Sequence, residues 1–467
     1  MLFNSFPFIF FLLLTFLFYY IPYFKRQQIY ILIIASAIFY AYQNISLLIL
    51  LCISLIINAA TSYSVSYGNP LRQKTYVTIG VAVNIGILIF FKYVPLVART
   101  FLKKDQPIAD FLVTIPLPIG ISFYTFHGIS LLIDVFRNKA GEKKSIVPVS
   151  FITHLKNTCF YIIFFPQLIA GPIVKAHDFI PQIKEKSYSQ IDWEFCFRHL
   201  VIGYFLKMVV ADNLKEFTFQ ITYPYFLTYK SFDLLALLFG YSCQIFADFA
   251  GYSTIAIGLA GLFGYRLNIN FNFPYSATSF KNFWQRWHIS LSTFLMEYLY
   301  FPLGGNKYGK IRTYFNLFVV MTIGGLWHGA SWSYLVWGFA HGVFLSIERF
   351  IFDYFKIKIT TSCSTFYSLL VFLIVTLAWL LFRLEFNHAL IYLELLFLKP
   401  SLSFNQEMFL YITIYSFPIV LYHWYASFKS SLKYLQWRNY EYIAFAILLF
   451  LIFFNSGFPG SFIYFQF

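Results

Sequence analysis

The chain has 467 residues, of which 59% are hydrophobic, 23% aromatic and 11% charged. An ordinary soluble domain carries about 25% charged residues, so a soluble enzyme, a secreted disulfide scaffold, a disordered chain and a nucleic-acid-binding domain are all excluded. The net charge of +15 then reads as positive-inside bias and attraction to anionic lipid, not as a nucleic-acid footprint.

A membrane-crossing helix needs about 20 apolar residues. In chain order, apolar runs occur at 6–24, 29–43, 45–66, 75–98, 111–136, 151–172, 195–211, 232–264, 313–350 (long enough for two), 366–386, 408–425 and 440–456. They predict roughly a dozen transmembrane helices. The runs are continuous, whereas a membrane β-barrel alternates apolar and polar positions over short segments. The fold class is therefore an all-α polytopic membrane protein. The runs at 29–43 and 388–398 are short and predict interfacial or tilted helices. No basic residue precedes the first run, and Lys25-Arg26 follow it. That polarity is the reverse of a secretory signal and predicts an uncleaved first span with its N-terminus outside. Neither an internal repeat nor a low-complexity linker interrupts the chain. Residues 1–467 are read as one integral membrane domain, with 266–350 as its core segment. Cys52, Cys159, Cys196, Cys243 and Cys363 are far apart and form no C-x-x-C pair. They predict buried free thiols, with neither a disulfide nor a zinc site.

Residues 266–312 are too polar for a simple span and too apolar for an ordinary loop. Ser279 is placed to cap a helix starting at Phe280. Phe283, Trp284, Trp287, Leu291 and Phe294 then fall on one apolar stripe. Arg286 and Glu297 fit a shared face, and Gly304-Gly305 ends the helix in a turn. The stretch predicts an amphipathic or re-entrant helix packed into protein rather than lipid.

Ionisable residues inside a membrane are expensive and usually functional. His328 sits deep in an apolar run, flanked by Gly324, Gly325, Gly329 and Ala330. Such small residues either let helices approach closely or leave room for a ligand. A neutral imidazole there can accept a proton in a dry site; a helix–helix hydrogen bond is the structural alternative. His288, in Trp284-Gln-Arg-Trp-His288, is the second candidate, and His341 and His127 follow. Asp248 reads as a packing acid or a proton relay, and Glu348-Arg349 as a span end. His154, His177, His199, His388 and His423 lie near charged or span-end segments and read as interfacial and structural. No P-loop, dinucleotide fingerprint, H-E-x-x-H or serine elbow is present. Acyl transfer needs only a base, a donor for the developing oxyanion and exclusion of water. Two buried histidines supply the first two.

Three motifs carry a resemblance: Asn282-Phe-Trp-Gln-Arg-Trp-His-Ile-Ser-Leu-Ser292, Tyr298-Leu-Tyr-Phe-Pro-Leu-Gly-Gly-Asn306 and Gly324-Gly-Leu-Trp-His-Gly-Ala330. They resemble the membrane-bound O-acyltransferase (MBOAT) family, in the branch that O-acetylates alginate and peptidoglycan. The likeness extends to Leu117–Phe126, Phe165–Ile173 and Gln244–Ser253. It implies tilted helices around a central tunnel, with His328 matching the histidine regarded as catalytic and His288 the second polar position. Trp284, Arg286, Trp287, Trp327, Asp248 and His341 are then candidates for lining the tunnel. The family implies acetyl-CoA, or another cytosolic acyl thioester, as donor. Lysines and arginines at the cytosolic mouth would meet its phosphates. It also implies an extracytoplasmic SGNH-type partner, a polysaccharide acceptor, no tightly bound cofactor, and the bacterial cytoplasmic membrane. The ending Phe462-Ile-Tyr-Phe-Gln-Phe467 resembles an F-x-Y-x-x-F motif in which the Tyr is proposed as an acyl relay, which makes Tyr464 a candidate carrier; an aromatic interfacial anchor is the alternative. Two positions depart from the family pattern. Met296-Glu297 stands where Arg-Asp is common, and His127 where Gln is common. The rival readings are D-alanyl transfer to teichoic acid, a glycan transporter and a non-catalytic scaffold.

Overall fold

The computed structural model describes residues 1–42, 44–103, 106–139, 146–356, 361–401, 403–428, 438–460 and 462–463. Among them there is no strand. Among the described residues, five helices are long and apolar enough to cross a membrane: Ser46–Tyr67, Pro70–Phe101, Ser231–Leu262, Trp332–Phe355 and Thr365–Arg383. Phe6–Tyr20 and Pro22–Ala41 add a sixth span if taken together, bent by 99°. The bend follows from Pro22. It holds Ile21 in an extended conformation and supplies no N–H to continue the ladder. The chain is thus an all-α, multi-pass membrane protein.

Two expected spans are interrupted, again by proline, and a third changes helix type. The run at 111–136 is split between the end of the short helix Pro107–Val113 and the helix Ile121–Lys139, with Pro116 and Pro118 in the break. The run at 151–172 gives the helix Phe151–Ile163 and then a separate turn, Phe165–Leu168, started by Pro166. The run at 195–211 passes from the helix Trp193–Tyr204 into a π-helical segment, Phe205–Ala211. The double-length run at 313–350 is two helices, Gly309–His328 and Trp332–Phe355, as expected.

The chain divides into two compact units. The first comprises 1–200 and 255–268. Its interior holds paired amides: Asn58 and Asn84 exchange hydrogen bonds at 3.2 and 2.9 Å. Gly128 lies so close to Asn58 that a Cβ would meet its amide oxygen at 2.5 Å. Phe160, Phe164, Phe179 and Tyr265 form an aromatic cluster with centroids 5.1–5.6 Å apart. His127 is buried here against Tyr161.

The second unit comprises 201–254 and 269–467. Its central feature is the antiparallel pair Gly309–His328 and Trp332–Phe355, which reverses over three residues. A Cβ on Gly325 would lie 2.3 Å from the carbonyl oxygen of Tyr334, and one on Gly338 would lie 2.4 Å from that of Met321. The glycines beside His328 therefore serve close helix packing. Of the cysteines, Cys52, Cys159, Cys196 and Cys243 are free thiols. Cys52 is exposed and Cys159 only partly buried, which corrects their expected burial; Cys196 and Cys243 are buried as expected. The side chain of Cys363 lies outside the described residues.

Candidate active site

The stretch that the apolar stripe predicts as one helix is broken in two. Phe280–Trp284 and Ile289–Leu295 are helical, a π-helical segment runs over Met296–Tyr300, and His288 between the first two sits at φ 43°, ψ 55°. Few non-glycine residues adopt this left-handed conformation, and those that do cluster at functional sites. Neighbouring chain fixes the break. Asn272 N–H donates to the Arg286 carbonyl at 3.0 Å, and Ile289 N–H to the Asn270 carbonyl at 2.9 Å. The Asn270 side chain accepts from Ser290 N–H and donates to Ser253. Ser279 caps the first helix as expected, accepting from Asn282 N–H at 2.9 Å. Glu348 adds a second cap, accepting from Phe280 and Lys281 N–H at 2.7 and 3.0 Å. Buried Glu348 is therefore a structural anchor for this segment, a role that its reading as a span end did not include. Gly304 and Gly305 close the stretch with positive φ, as predicted.

His328 is the last residue of Gly309–His328 and is buried. Its ring centroid lies 6.1 Å from that of His288. Trp327 touches both rings, at 5.2 Å from His328 and 5.8 Å from His288. Trp337 and Phe382 wall the other edges of His328, at 5.3 and 5.1 Å. Trp337 then leads to His341 at 4.6 Å, and Trp284 reaches the same imidazole at 5.2 Å. His341 is fully buried. Among the described residues, neither of its ring nitrogens nor Nε1 of Trp284 or Trp337 has a hydrogen-bond partner.

The structure thus brings together His288, His328, Trp327, Trp284 and His341. The other sequence candidates have different settings. Trp287 is buried against Trp379 at 4.9 Å and stacks on Phe283 at 5.7 Å. Arg286 bonds Asn282 and the Asn272 carbonyl. Asp248 pairs with Lys207 at 2.8 Å and accepts from Ile463 N–H at 2.7 Å. Tyr464 lies outside the described residues. The histidines expected to be structural each have a partner: Ser62 for His154, Asp134 for His177, the Phe195 carbonyl for His199, the Ile419 carbonyl for His423, and a stacked Tyr223 for His388. Sequence reasoning missed Trp337, Trp379 and Phe382, which read only as apolar bulk. It also missed Lys207, whose position inside the apolar run 201–211 was a usable signal. Among the described residues, no group of three or more His, Cys, Asp or Glu is placed to hold a metal ion.

The model of the membrane-bound O-acyltransferase family, MBOAT, matches residues 18–391. A peptidoglycan O-acetyltransferase of Helicobacter pylori is 36% identical over 372 residues, covering 75% of this chain and 70% of that protein. A probable alginate O-acetylase of Pseudomonas aeruginosa is 34% identical over 394 residues, covering 82% and 72%. A teichoic acid D-alanyltransferase of Bacillus subtilis is 29% identical over 246 residues, covering 50% and 59%. Both histidines and the tryptophans around them fall within the matched region, and the chain belongs to the membrane-bound O-acyltransferase family.

Proposed function

We propose that this chain takes an acetyl group from a cytosolic thioester, acetyl-CoA, and passes it on for O-acetylation of an exported or cell-envelope polysaccharide such as peptidoglycan or alginate. The observation that carries the reading is the pairing of His328 and His288, buried with centroids 6.1 Å apart. Two imidazoles at that spacing can each reach one of the two oxygens of a single reacting centre, the attacking hydroxyl and the carbonyl it adds to, by ordinary hydrogen bonds. The names of the relatives supply the acetyl group and the acceptor class.

His328 acts as general base. It takes the proton of an attacking hydroxyl, whose oxygen bonds to the thioester carbonyl carbon. The C–S bond then breaks, and the thiolate leaves and recovers the proton from His328. His288 donates to the oxygen that becomes negative in between. The ring nitrogens of His341, Trp284 and Trp337 line the same aromatic wall, where buried polar groups are ordinarily paired; they offer donors to substrate or water. The attacking hydroxyl is that of Tyr464. A phenol acetate is a reactive donor, because phenoxide (reference pKa about 10) leaves more readily than an alkoxide. An extracytoplasmic SGNH-type partner completes transfer on the outer face of the bacterial cytoplasmic membrane.

The test is base-releasable acetate on envelope polysaccharides, compared between wild type and His328→Ala at matched protein levels. We expect loss of the acetate, and the depleted fraction identifies the acceptor. Unchanged acetate with a well-folded His328→Ala protein overturns the assignment. A second reading, D-alanyl transfer to teichoic acid, follows from the relative of that name. It is favoured if D-alanine, not acetate, is the ester that disappears.

A further inference from the structure

The segment after the helix Arg438–Phe454 is tied back onto the stretch 205–213 of the same unit. Asn213 Nδ2 donates to the Asn455 carbonyl at 2.9 Å, and Gly457 N–H donates to the Met208 carbonyl at 2.9 Å. Gly457 passes so close that a Cβ there would sit 2.6 Å from the backbone of Asp212 and Asn213. Phe462 then stacks on Tyr252 at 4.5 Å, and Ile463 N–H donates to Asp248 Oδ2 at 2.7 Å. Phe462 and Ile463 are buried.

Asp248 is itself held. Lys207 Nζ lies 2.8 Å from its Oδ1 and 2.7 Å from Asp212 Oδ1, and all three side chains are buried. Lys207 projects from the π-helical segment Phe205–Ala211, and such segments concentrate at functional sites. A buried carboxylate needs donors for the oxygen its cation leaves free, and here the remote segment supplies one. Here one carboxylate oxygen faces the ammonium and the other faces Ile463. The next residue, Phe249, meets His288 edge-on at 4.6 Å and Phe462 at 5.8 Å.

We propose that Asp248, the ion-pair partner of Lys207, is a positioning residue whose carboxylate acceptor anchors Phe462 and Ile463 against Phe249, the neighbour of His288. The anchor deepens the reading above and rests on it for its catalytic consequence, because one peptide bond joins Ile463 to Tyr464. Asp248 touches no reacting atom. Its role is to hold the segment that carries the relay hydroxyl.

The test is deuterium uptake of peptides covering 455–463 in the full-length protein, without donor or acceptor. Lys207→Met/Asp248→Asn and Lys207→Met/Asp248→Leu carry the same charge and both leave Asp212 without its cation, but only the first keeps an acceptor for Ile463 N–H. We expect the Asn variant to keep wild-type protection within about threefold and the Leu variant to exchange at least about tenfold faster. Equal protection in the two variants overturns the proposal. Should the Leu variant fail to fold, Ile463→Pro removes the donor from the segment and leaves the ion pair intact. Faster exchange of 455–462 is then expected, and unchanged exchange overturns the anchor. Tyr464→Phe separates the two readings. It is expected to keep the protection while losing base-labile acyl loading on the chain, so a failed relay and a failed anchor give different results.

Discussion

His328 stands edge-on to the indole of Trp337, with centroids 5.3 Å apart and planes at 88°. The indole fixes the plane in which the imidazole presents its nitrogens, and a proton-transfer group must be held to a fraction of an ångström to be effective. Trp337→Phe keeps an aromatic wall and loses part of the contact. We expect acetate transfer to fall by about tenfold to a hundredfold, even at temperatures where the variant stays folded, with a smaller loss of stability than full truncation. Trp337→Ala opens a cavity and is expected to destabilise by about 3–5 kcal/mol. Transfer at wild-type rate by purified Trp337→Phe would remove the orienting role.

The left-handed backbone of His288 makes two substitutions informative. Asn tolerates this conformation, whereas a β-branched residue does not. His288→Asn is expected to purify normally with transfer reduced by about a hundredfold or more, the usual range for loss of an oxyanion donor. His288→Val is expected to lose a further 1–3 kcal/mol, roughly, through backbone strain. Similar melting midpoints for the two variants would show that the φ of 43° imposes no such constraint.

Gly325 tests whether helix spacing sets the position of His328. A Cβ there would lie 2.3 Å from the Tyr334 carbonyl oxygen and 2.7 Å from Gly338 Cα. Backbone must move, because no flexible side chain is available to yield. Gly325→Ala is expected to lower stability by about 1–3 kcal/mol, and to lower transfer even at temperatures where the protein stays folded. Retained stability and activity would mean that the two helices can separate without consequence.

His328 was legible in the sequence because an imidazole inside an apolar run is expensive, and His288 because of the tryptophans and arginine around it and the family resemblance of its motif. The apolar stripe over 283–294 was legible too, and those side chains are largely buried. The break at His288 was not, since periodicity reports which face is apolar and not where a backbone dihedral changes sign. Pro22, Pro116, Pro118 and Pro166 were visible as breakers, yet hydropathy alone joined the runs across them. Asp248 was singled out as an intramembrane acid, but its acceptor role depends on Ile463, 215 residues along the chain. No local pattern encodes such a partner. Glu348 shows the same limit: a carboxylate at an apparent span end turned out to cap a helix N-terminus far away in sequence.

His177 in the first unit gives a pH prediction. Its Nδ1 lies 2.8 Å from Asp134 Oδ2, and its Nε2 lies 3.4 Å from Asp178. The hydrogen bond to Asp134 raises its pKa above the ordinary value; partial burial opposes that rise, Asp178 adds to it, and Lys175 subtracts. A pKa raised on folding means that the folded chain binds the proton more tightly than the unfolded chain. The stabilisation is therefore complete below the unfolded value, about 6.5, and is lost as pH rises through the higher folded value. His177→Gln keeps a donor for Asp134 but does not titrate. The difference in melting midpoint between wild type and His177→Gln should shrink as pH is raised from about 5.5 to about 8.5. A difference that is constant or grows over that range would show that Asp134 does not favour the charged imidazole.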